Sequence, residues 1–523
     1  MLDYLIKDGN VIDGSGSAPM LLNVGIEGKR IFYVGRDYKA ARNVIDASGL
    51  TVSPGFIDTH AHSEFTILAD GRAEGKLSQG VTTEINGNCG LSAAPLFSEA
   101  FDRRESDRHE VGINEAWHTF EEFFRLLNDN GIAINYATLC GHGNLRASVM
   151  GYKDGPPSRS EMAEMKRLLA GALHAGARGL STGLIYPPGV YSTSDEIIEL
   201  AKMTACERPG AIYATHMRSE GDALVESVEE TLNIGVAARI PVHISHLKTS
   251  GEKNWHKIVN VIDMIGRSHA AGFQITCDRY PYIASSTDLD TVFPSWVYVG
   301  GVKEELKRLR DPDVWAGIRS ELADYADNYW RGVYISSVSN PGNKWMEGEN
   351  ILDIAAKKHM HPADAVMNIT LAEDARAGAI FFSMCEDNLR SILSLPFTMI
   401  GSDSSVRSFT GLTCIGKPHP RGFGSFARFL SKYARDEHIV TLTEAVRRMT
   451  SLPAKVFGLE QRGLIKQGYY ADVAIFDYAG LQDKATFREP FKGACGVEHV
   501  FVNGSLSFSR GFFGNRRAGM VLR

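Results

Sequence analysis

Apolar runs and helical stretches alternate along most of the middle of the chain. Between two such runs, Val225, Val228 and Leu232 recur at spacings of three and four, the period of a helix with one buried face. Strands that alternate with helices are typical of βα units and a parallel sheet. The apolar runs predict strands at Gly55–Asp58, Val81–Ile85, Ile132–Leu139, Ala177–Leu180, Ala211–Thr215, Pro241–Ser245, Phe273–Cys277 and Phe397–Gly401.

Eight strands with helices between them predict an α/β fold, a (β/α)8 TIM-type barrel over residues 55–454. The alternative is an open doubly wound sheet, but no glycine-rich phosphate loop follows the first predicted strand. The interval 278–396 is unusually long and contains the charged amphipathic stretch 304–309. We therefore expect an inserted subdomain at about 285–345, on the catalytic face, where it would act as a lid.

Both ends of the chain contain short alternating segments broken by glycine. Residues 10–14 and 24–28 show this pattern near the start, and residues 471–476 and 500–504 show it near the end. We expect one small β domain assembled from residues 1–54 and 455–523.

The composition, 44% hydrophobic and 23% charged, is that of an ordinary globular protein. The formal charge of 56 − 62 = −6 offers no basic excess for nucleic acid or an anionic membrane, so we expect neither as a partner. No apolar run reaches the roughly 18–20 residues of a membrane helix, and no signal-peptide pattern is visible. Seven scattered cysteines without a CxxC pair indicate a reducing compartment, the cytoplasm.

Histidine, cysteine and aspartate residues stand at the predicted C-terminal strand ends, where such barrels carry their chemistry. His60 and His62 follow the first strand, and one residue apart on extended backbone they project to the same side. The second, fifth, sixth and eighth strands are followed by Cys89, His216, His246 and Asp403. Ligand-type residues at corresponding ends of separate strands together predict a metal site.

These six residues divide into a cysteine group (Cys89, His216 and His246) and an aspartate group (His60, His62 and Asp403). Imidazole and thiolate ligands favour zinc over magnesium or calcium. The cysteine group would make a three-ligand tetrahedral site with the fourth position open, the form of a catalytic zinc. The aspartate group could hold another metal or leave its place to solvent, and Asp403 could act as the catalytic proton carrier.

Several motifs carry a family resemblance. Residues 54–62, with His216, His246 and Asp403, resemble the amidohydrolase superfamily. Further segments resemble its D-aminoacylase (N-acyl-D-amino-acid deacylase) family: Gly87–Gly90, Ser245–Lys248 with Asn254-Trp255, Tyr280–Tyr282 with Ser285–Thr287, Lys417–Arg421 and Met449–Ala454. Together, all these motifs span about residues 50–475. The resemblance implies a hydrolase that cuts the N-acyl amide bond of N-acyl-D-amino acids into a carboxylate and a free D-amino acid.

The resemblance also implies how metal is held. Many superfamily members carry a carboxylated lysine or a glutamate after the fourth strand to bridge two metals, but this chain has Ser181-Thr182-Gly183 there. In D-aminoacylases the cysteine after the second strand takes part in metal binding instead, and Cys89 matches it. One tight zinc in the cysteine group, with a weaker or partly empty site in the aspartate group, is therefore expected.

Four further residues are implied as contacts to a small-molecule substrate. Lys248 matches the family lysine that binds the substrate α-carboxylate, and Tyr186, Tyr280 and Ser285 match positions lining the same pocket. One family branch acts on N-acyl-D-glutamate and carries an arginine shortly after the Tyr-Pro-Tyr segment. No lysine or arginine occurs here from residue 280 through 302, which favours a substrate with a neutral or hydrophobic side chain.

Three alternatives compete with this interpretation. A cyclic-amide hydrolase of the dihydroorotase or hydantoinase type is disfavoured by the missing strand-four lysine and by the Asn88-Cys89-Gly90 segment. A non-catalytic scaffold on the same fold is disfavoured because all six candidate ligands are present. A dipeptidase that releases a C-terminal D-residue stays open, since it cuts a chemically similar bond. The sequence does not define the acyl group or the oligomeric state.

Overall fold

The computed structural model describes residues 1–514 and 517–523, apart from the side chains of residues 106, 107, 109 and 110. Within this part of the chain, eight strand segments run in parallel around one barrel. They are Phe56–Asp58, Val81–Asn86, Asn135–Thr138 with its continuation Cys140–Gly141, Gly179–Gly183, Ile212–His216, Val242–Ile244, Ile275–Arg279 and Thr398–Ile400.

The strands follow one another around the barrel in chain order. The first three pair in sequence, and the third continues into the fourth through the Cys140–Leu180 register. The fourth to eighth strands pair in order as well. The ring closes where the Thr59 amide donates to the Ile400 carbonyl at 3.4 Å and where residues 61 and 404 form a parallel bridge. The predicted (β/α)8 barrel is confirmed, and the open sheet is excluded.

Helices connect the barrel strands and cover their outer faces. Several begin at side-chain caps: Thr119 and Ser158 each form a capping box with the glutamate three residues on. The described α-helices are Thr66–Ala69, Glu74–Leu77, Ser98–Glu110, Phe120–Asn130, His142–Met150, Arg159–Ala175, Ser194–Glu207, Leu224–Ala238, Ile258–Ala270, Val302–Leu309, Pro312–Glu321, Asp327–Arg331, Ile351–Lys357, Pro362–Ala372, Glu386–Ser394, Arg421–Arg428, Leu442–Met449 and Ser451–Val456. Among these, no helix has both the length and the apolarity needed to cross a bilayer.

The two chain ends meet in one sheet. Thr51–Pro54 pairs in parallel with Leu2–Val11 and antiparallel with Val473–Phe476, so N-terminal and C-terminal strands share a ladder. The nine described strands of this sheet are Leu2–Val11, Met20–Glu27, Arg30–Gly35, Ala41–Asp46, Thr51–Pro54, Val473–Phe476, Val497–Val502, Ser505–Ser509 and Phe512–Phe513. The small β domain built from both termini is thus part of the fold, while its boundaries at 54/55 and 454/455 stay a prediction.

The insertion between the seventh and eighth barrel strands has its own sheet and apolar core. Gly378–Phe382 is the central strand, antiparallel to both Ala284–Asp288 and Val333–Ser337. The unit therefore extends to residue 382, past the expected end at about 345. The sequence could not show this, because the central strand pairs with partners distant along the chain. Its action as a lid stays a prediction.

A buried polar network joins the terminal sheet to the barrel. Arg462 contacts the Asp472 carboxylate and donates from Nη2 to Asn503 Oδ1 at 2.9 Å. Asn503 Nδ2 in turn donates to Asn135 Oδ1, in the third barrel strand, at 2.7 Å. We expect Arg462→Met to destabilise the protein by about 3–5 kcal/mol, because it leaves the Asp472 charge buried without its partner.

Thermal unfolding of the wild type and of the Arg462→Met variant measures this loss of stability. The matched control is Arg267→Met, which breaks an exposed helical ion pair of 2.7 Å with Asp263 and should cost about 0.5 kcal/mol or less. Equal midpoints for the Arg462 and Arg267 variants would show that the network does not tie the sheet to the barrel.

Candidate metal centre

The six predicted ligand residues converge at the C-terminal mouth of the barrel. Each lies at the end of its strand or within four residues of it, and the carboxyl ends of parallel strands share one rim. His60, Cys89, His216 and His246 are buried, whereas His62 and Asp403 are partly accessible, with 26% and 12% of their side chains exposed. The structure thus brings together all six residues selected from the sequence.

Cys89 contacts a histidine of each predicted group. Its Sγ is 3.3 Å from His60 Nε2 and 3.4 Å from His246 Nε2. Two ligands of one tetrahedral zinc, at about 2.3 Å for sulfur and 2.0 Å for nitrogen, lie roughly 3.5 Å apart. Burial alone would raise the pKa of the Cys89 thiol, but His60 and His246 hold it well below its ordinary value. The thiolate, the form that binds metal, is therefore favoured.

His216 supplies a test of whether the site fits a metal ion. The residue is 4% exposed, and within the described residues neither ring nitrogen makes a hydrogen bond, although its Nε2 lies 3.8 Å from Glu220 Oε2. Its ring lies edge-on to that of His246, with centroids 4.5 Å apart. An unsatisfied buried imidazole is costly, and a metal ion beside Cys89 and His246 would satisfy it. The donor set and this orphaned imidazole both fit zinc.

Asp403 is held by charges on both of its oxygens. Oδ1 lies 3.2 Å from His62 Nε2 and 3.6 Å from His60 Nε2, while Oδ2 lies 2.9 Å from Arg421 Nη1. Burial would raise the pKa of this carboxyl, but Arg421 and His60 lower it well below its usual range. Asp403 is thus an ionised carboxylate. Arg421 was not selected from the sequence, although it ends the Lys417–Arg421 motif.

Carboxylates outside the six also contact the candidate ligands. Asp278, which follows directly after the predicted seventh strand, lies 3.2 Å from His60 Nδ1 and 2.7 Å from His243 Nε2. Its Oδ1 accepts from the His246 amide at 2.7 Å. Glu220 Oε1 lies 2.9 Å from His246 Nδ1. Carboxylates behind ligand histidines orient the rings, and neither Asp278 nor Glu220 was predicted from the sequence.

The distances between ligand atoms group the residues differently from the two groups predicted from the sequence. Three sets have ligand atoms within 4.8 Å of one another: His60, Cys89 and His246; His60, His62 and Asp403; and His216, Glu220 and His246. The aspartate group appears as expected. The cysteine group is divided between two sets, with His60 and Glu220 as added members, so the candidate ligands form one continuous cluster.

A buried ion cluster holds the first and last strand ends together beneath this centre. Lys76 is fully buried beside Asp58, with its Nζ 2.9 Å from Glu84 Oε1 and 2.7 Å from Ser402 Oγ. Asp58 Oδ1 accepts from the backbone amides of His60 at 3.2 Å and Ser402 at 2.8 Å. The positions of His60 and of the segment leading to Asp403 are therefore fixed by charge.

Three of the candidate ligands have left-handed backbone conformations. The φ angles are 53° at Cys89, 37° at His246 and 51° at Asp403. Such conformations are uncommon outside glycine and concentrate at functional sites. The turn around Cys89 also requires Gly90, where an added Cβ would lie 2.7 Å from the Gly183 amide nitrogen. The backbone is thus shaped to present these side chains at the rim.

The predicted substrate contacts lie at different depths around the centre. Lys248 is buried against Glu220 and His246, and the Tyr186 ring lies edge-on to His216 at 5.0 Å. Tyr280 is buried beneath the Arg421 guanidinium, 4.6 Å from the ring centre. Ser285 is half-buried in the strand Ala284–Asp288, paired with Phe381.

A cavity of about 350 Å³ opens beside the aspartate group. Its walls come from the barrel and from the insertion, and include His62, Asp403, Arg421, Thr287, Asp288 and Ser336. The four predicted substrate residues are not among the residues lining this described cavity. The insertion therefore contributes directly to the space beside the candidate ligands.

Comparison with known proteins gives matches along the whole chain. The model of the Amidohydrolase family matches residues 43–253 and 331–508. The chain is 36% identical to D-aminoacylase from Alcaligenes xylosoxydans xylosoxydans, over 99% of this chain and 97% of that protein. It is 35% identical to N-acyl-D-glutamate deacylase from the same organism, over 100% of this chain and 96% of that protein.

A solved structure agrees in fold as well as sequence. N-acyl-D-glutamate deacylase from Bordetella bronchiseptica, complexed with zinc and a phosphonate inhibitor that mimics the reaction tetrahedral intermediate, is 34% identical with a TM-score of 0.84. The match covers 100% of this chain and 99% of that one. With the barrel, the rim cluster and these full-length similarities, the chain belongs to the D-aminoacylase (N-acyl-D-amino-acid deacylase) family of metal-dependent amidohydrolases.

Proposed function

We propose that this protein is a zinc-dependent hydrolase of N-acyl-D-amino acids, which releases a carboxylate and a free D-amino acid. The observation that carries the proposal is the cluster of six convergent residues centred on Cys89, whose Sγ lies within 3.4 Å of two imidazoles. Full-length similarity to D-aminoacylase, at 36% identity, supports the substrate class. A dipeptidase that releases a C-terminal D-residue, and a cyclic-amide hydrolase, are the alternatives to be tested.

One tightly held zinc is proposed for the cysteine group, with the aspartate group as a weaker second site. The thiolate of Cys89, the orphaned ring of His216 and the Nε2 of His246 supply soft and borderline donors, which zinc prefers. Bound zinc would polarise the amide carbonyl and lower the pKa of water. Cys89 Sγ also lies 3.3 Å from His60 Nε2, so the residues that would hold a second ion adjoin those of the cysteine group.

Asp403 is proposed as the catalytic acid–base. As an ionised carboxylate at the rim, it can accept the proton of the attacking water and deliver it to the leaving amine nitrogen. Each of its two oxygens has its own partner: Oδ1 lies 3.2 Å from His62 Nε2, and Oδ2 lies 2.9 Å from Arg421 Nη1. The carboxylate is thereby oriented before substrate arrives, which reduces the reorganisation needed during the reaction.

Lys248 is proposed to bind the substrate α-carboxylate, with Tyr186, Tyr280 and Ser285 around the same substrate. The ammonium of Lys248 has three donors, so its contacts to Glu220 and His246 leave capacity for a ligand carboxylate. Pairing of the α-carboxylate with a fixed cation would determine which face of the substrate Cα meets the metal centre.

A neutral or hydrophobic side chain is proposed for the D-amino acid. No lysine or arginine lies between residues 280 and 302, and Asp288 from this stretch lines the cavity. Of the cavity arginines, Arg421 is paired with Asp403, and Arg407 donates to the Thr413 carbonyl at 3.2 Å. A second carboxylate on the substrate would therefore meet Asp288 and arginines that are already engaged.

The proposed setting is the cytoplasm. All seven cysteines lie in the described part of the chain, and all are free thiols. A buried metal-binding thiolate such as Cys89 is best preserved in a reducing compartment.

Replacing Lys248 by alanine should raise KM for an N-acyl-D-amino acid by about tenfold or more, because a buried charge pair with the substrate is lost. Zinc content should not change, since Lys248 is not among the proposed ligands. Steady-state kinetics with zinc-loaded protein measures the effect. Lys253→Ala is the control, because this lysine lies in the same connection between the sixth strand and the next helix, but it is exposed and pairs with Asp222 at 2.9 Å. An unchanged KM in the Lys248 variant would contradict the assignment.

The proposed function is tested with a substrate panel, before and after metal removal with a chelator. N-acetyl-D-methionine and N-acetyl-D-leucine should be hydrolysed faster than N-acetyl-D-glutamate and N-acetyl-D-aspartate. Chelation should remove the activity and added zinc should restore it. Faster hydrolysis of dipeptides with a C-terminal D-residue, or of hydantoins and dihydropyrimidines, would instead support one of the alternatives.

A further inference from the structure

Among the described carboxylates, Glu220 alone contacts both a proposed zinc ligand and the proposed substrate-binding lysine. Within the described residues, its Oε1 lies 2.9 Å from His246 Nδ1 and in close contact with Lys248 Nζ. Lys248 Nζ itself lies 2.8 Å from the same His246 Nδ1. All three side chains are largely buried, with 13%, 2% and 3% of the Glu220, His246 and Lys248 side chains exposed. This triad, Glu220–His246–Lys248, is largely shielded from bulk water.

Glu220 and Lys248, the two neighbours of His246 Nδ1, favour opposite positions of the hydrogen on the imidazole ring. His246 Nε2 faces the Cys89 thiol at 3.4 Å, so Nε2 is the atom that would bind zinc and must be free of hydrogen. The neutral ring then carries its hydrogen on Nδ1, which has to donate. A carboxylate can accept that hydrogen, but an ammonium group has only donors.

We propose that Glu220 is a positioning residue that selects the metal-binding tautomer of His246 while it anchors Lys248. The carboxylate accepts hydrogen bonds from both His246 Nδ1–H and the Lys248 ammonium. One side chain therefore orients a zinc ligand and also holds the cation that receives the substrate carboxylate. Without Glu220, Lys248 would donate to His246 Nδ1, place the ring hydrogen on Nε2 and oppose zinc binding. The inference rests on the proposed metal centre.

Zinc affinity of the substrate-free protein, measured by competition with a chromophoric chelator, tests this role. Glu220→Ala should weaken zinc binding by about 10–100-fold, the usual effect of losing a carboxylate behind a ligand histidine. The double variant Glu220→Ala with Lys248→Ala should recover much of the affinity, because the competing donor is gone. A general structural defect would not be reversed by a second deletion beside it.

Glu230→Gln is the matched control. Glu230 is likewise a partly buried carboxylate, in the helix Leu224–Ala238 that follows the fifth strand. Its side chain is 17% exposed, and it pairs with Arg218 through two contacts of 3.0 Å. It does not touch the triad in the described structure, so zinc affinity should stay within a few-fold of the wild type. Glu220→Gln keeps one acceptor oxygen and should show a smaller loss than Glu220→Ala, again recovered by Lys248→Ala.

Two results would overturn the role of Glu220: zinc affinity in Glu220→Ala equal to that in Glu230→Gln, or a double variant that binds zinc no better than the single one. If Glu220→Ala does not fold, the same two comparisons made with Glu220→Gln decide the matter. Because the readout is zinc binding without substrate, a wild type that binds zinc but hydrolyses no N-acyl-D-amino acid would refute the proposed function alone. A wild type that binds no zinc would refute both.

Discussion

The Asp403→Ala enzyme is expected to lose kcat by about 10²–10⁴-fold, the range for removal of a positioned general acid–base. The carboxylate would no longer take the proton of the attacking water, and no other ionised carboxylate of the cluster occupies its place between His62 and Arg421 in the described structure. The tightly bound zinc should remain, because the cysteine group is intact. Kinetics and zinc content, measured on the same preparation, separate the two quantities.

The control for this variant is Asp483→Ala. Asp483 is likewise a carboxylate paired with an arginine, at 3.6 Å from Arg428 Nη1, and it accepts from the Tyr282 hydroxyl at 2.9 Å, outside the metal centre. Its loss should leave kcat within a few-fold of the wild type. An Asp403→Ala enzyme with full turnover would eliminate the acid–base role, and one that lost its tight zinc would place Asp403 among the tight ligands instead.

The second large effect is expected from Cys89. Cys89→Ala removes the thiolate at the centre of the cluster, so zinc affinity should fall by more than the roughly 10–100-fold that follows loss of an outer carboxylate. Activity at stoichiometric zinc should fall with it. Zinc affinity falls because the thiolate donor is removed. His60 and His246 lower the pKa of this thiol, although burial alone would raise it, and so favour the metal-binding thiolate. Chelator competition gives the affinity, and titration with zinc gives the activity at each occupancy.

Cys140→Ala is the matched control for the cysteine. This thiol is also fully buried, in the continuation of the third barrel strand, but burial raises its pKa well above the ordinary value, so it stays protonated. Its replacement should leave zinc binding unchanged. Cys89→Ala protein with wild-type zinc affinity would show that the tight site is built from other residues, such as His60, His62 and Asp403.

Much of the barrel could be predicted from the sequence because its strands are buried and bounded by helices. Once the strands are located, parallel geometry alone places their carboxyl ends on one rim, and the six candidate ligands follow. His60 and His62 illustrate this, since both the strand end and the alternation of the extended chain are visible in the sequence. The terminal sheet could also be anticipated, because both chain ends show the strand pattern.

The residues of the site that were not predicted from the sequence act mainly through contacts between segments distant along the chain. Asp278 contacts His60, and Arg421 contacts Asp403, only once the barrel has closed. Glu220 follows His216 by four residues and lies 3.8 Å from its Nε2, but its closer contact, at 2.9 Å, is with His246 after the next strand. The division of the ligands into sets also depends on distances of a few ångströms around Cys89, and the strand at residues 378–382 depends on pairing with distant partners.

The most direct measurement of the central claim is the initial rate of hydrolysis of N-acetyl-D-methionine and of its L-enantiomer by the zinc-reconstituted enzyme. We predict hydrolysis of the D-enantiomer at least about 100-fold faster. Lys248 would hold the α-carboxylate and the metal centre the amide, so the wrong enantiomer directs its side chain away from the space beside Tyr186, Tyr280 and Ser285 and loses about 3 kcal/mol or more of alignment. Equal rates for the two enantiomers, or a faster rate for the L-enantiomer, would contradict the account.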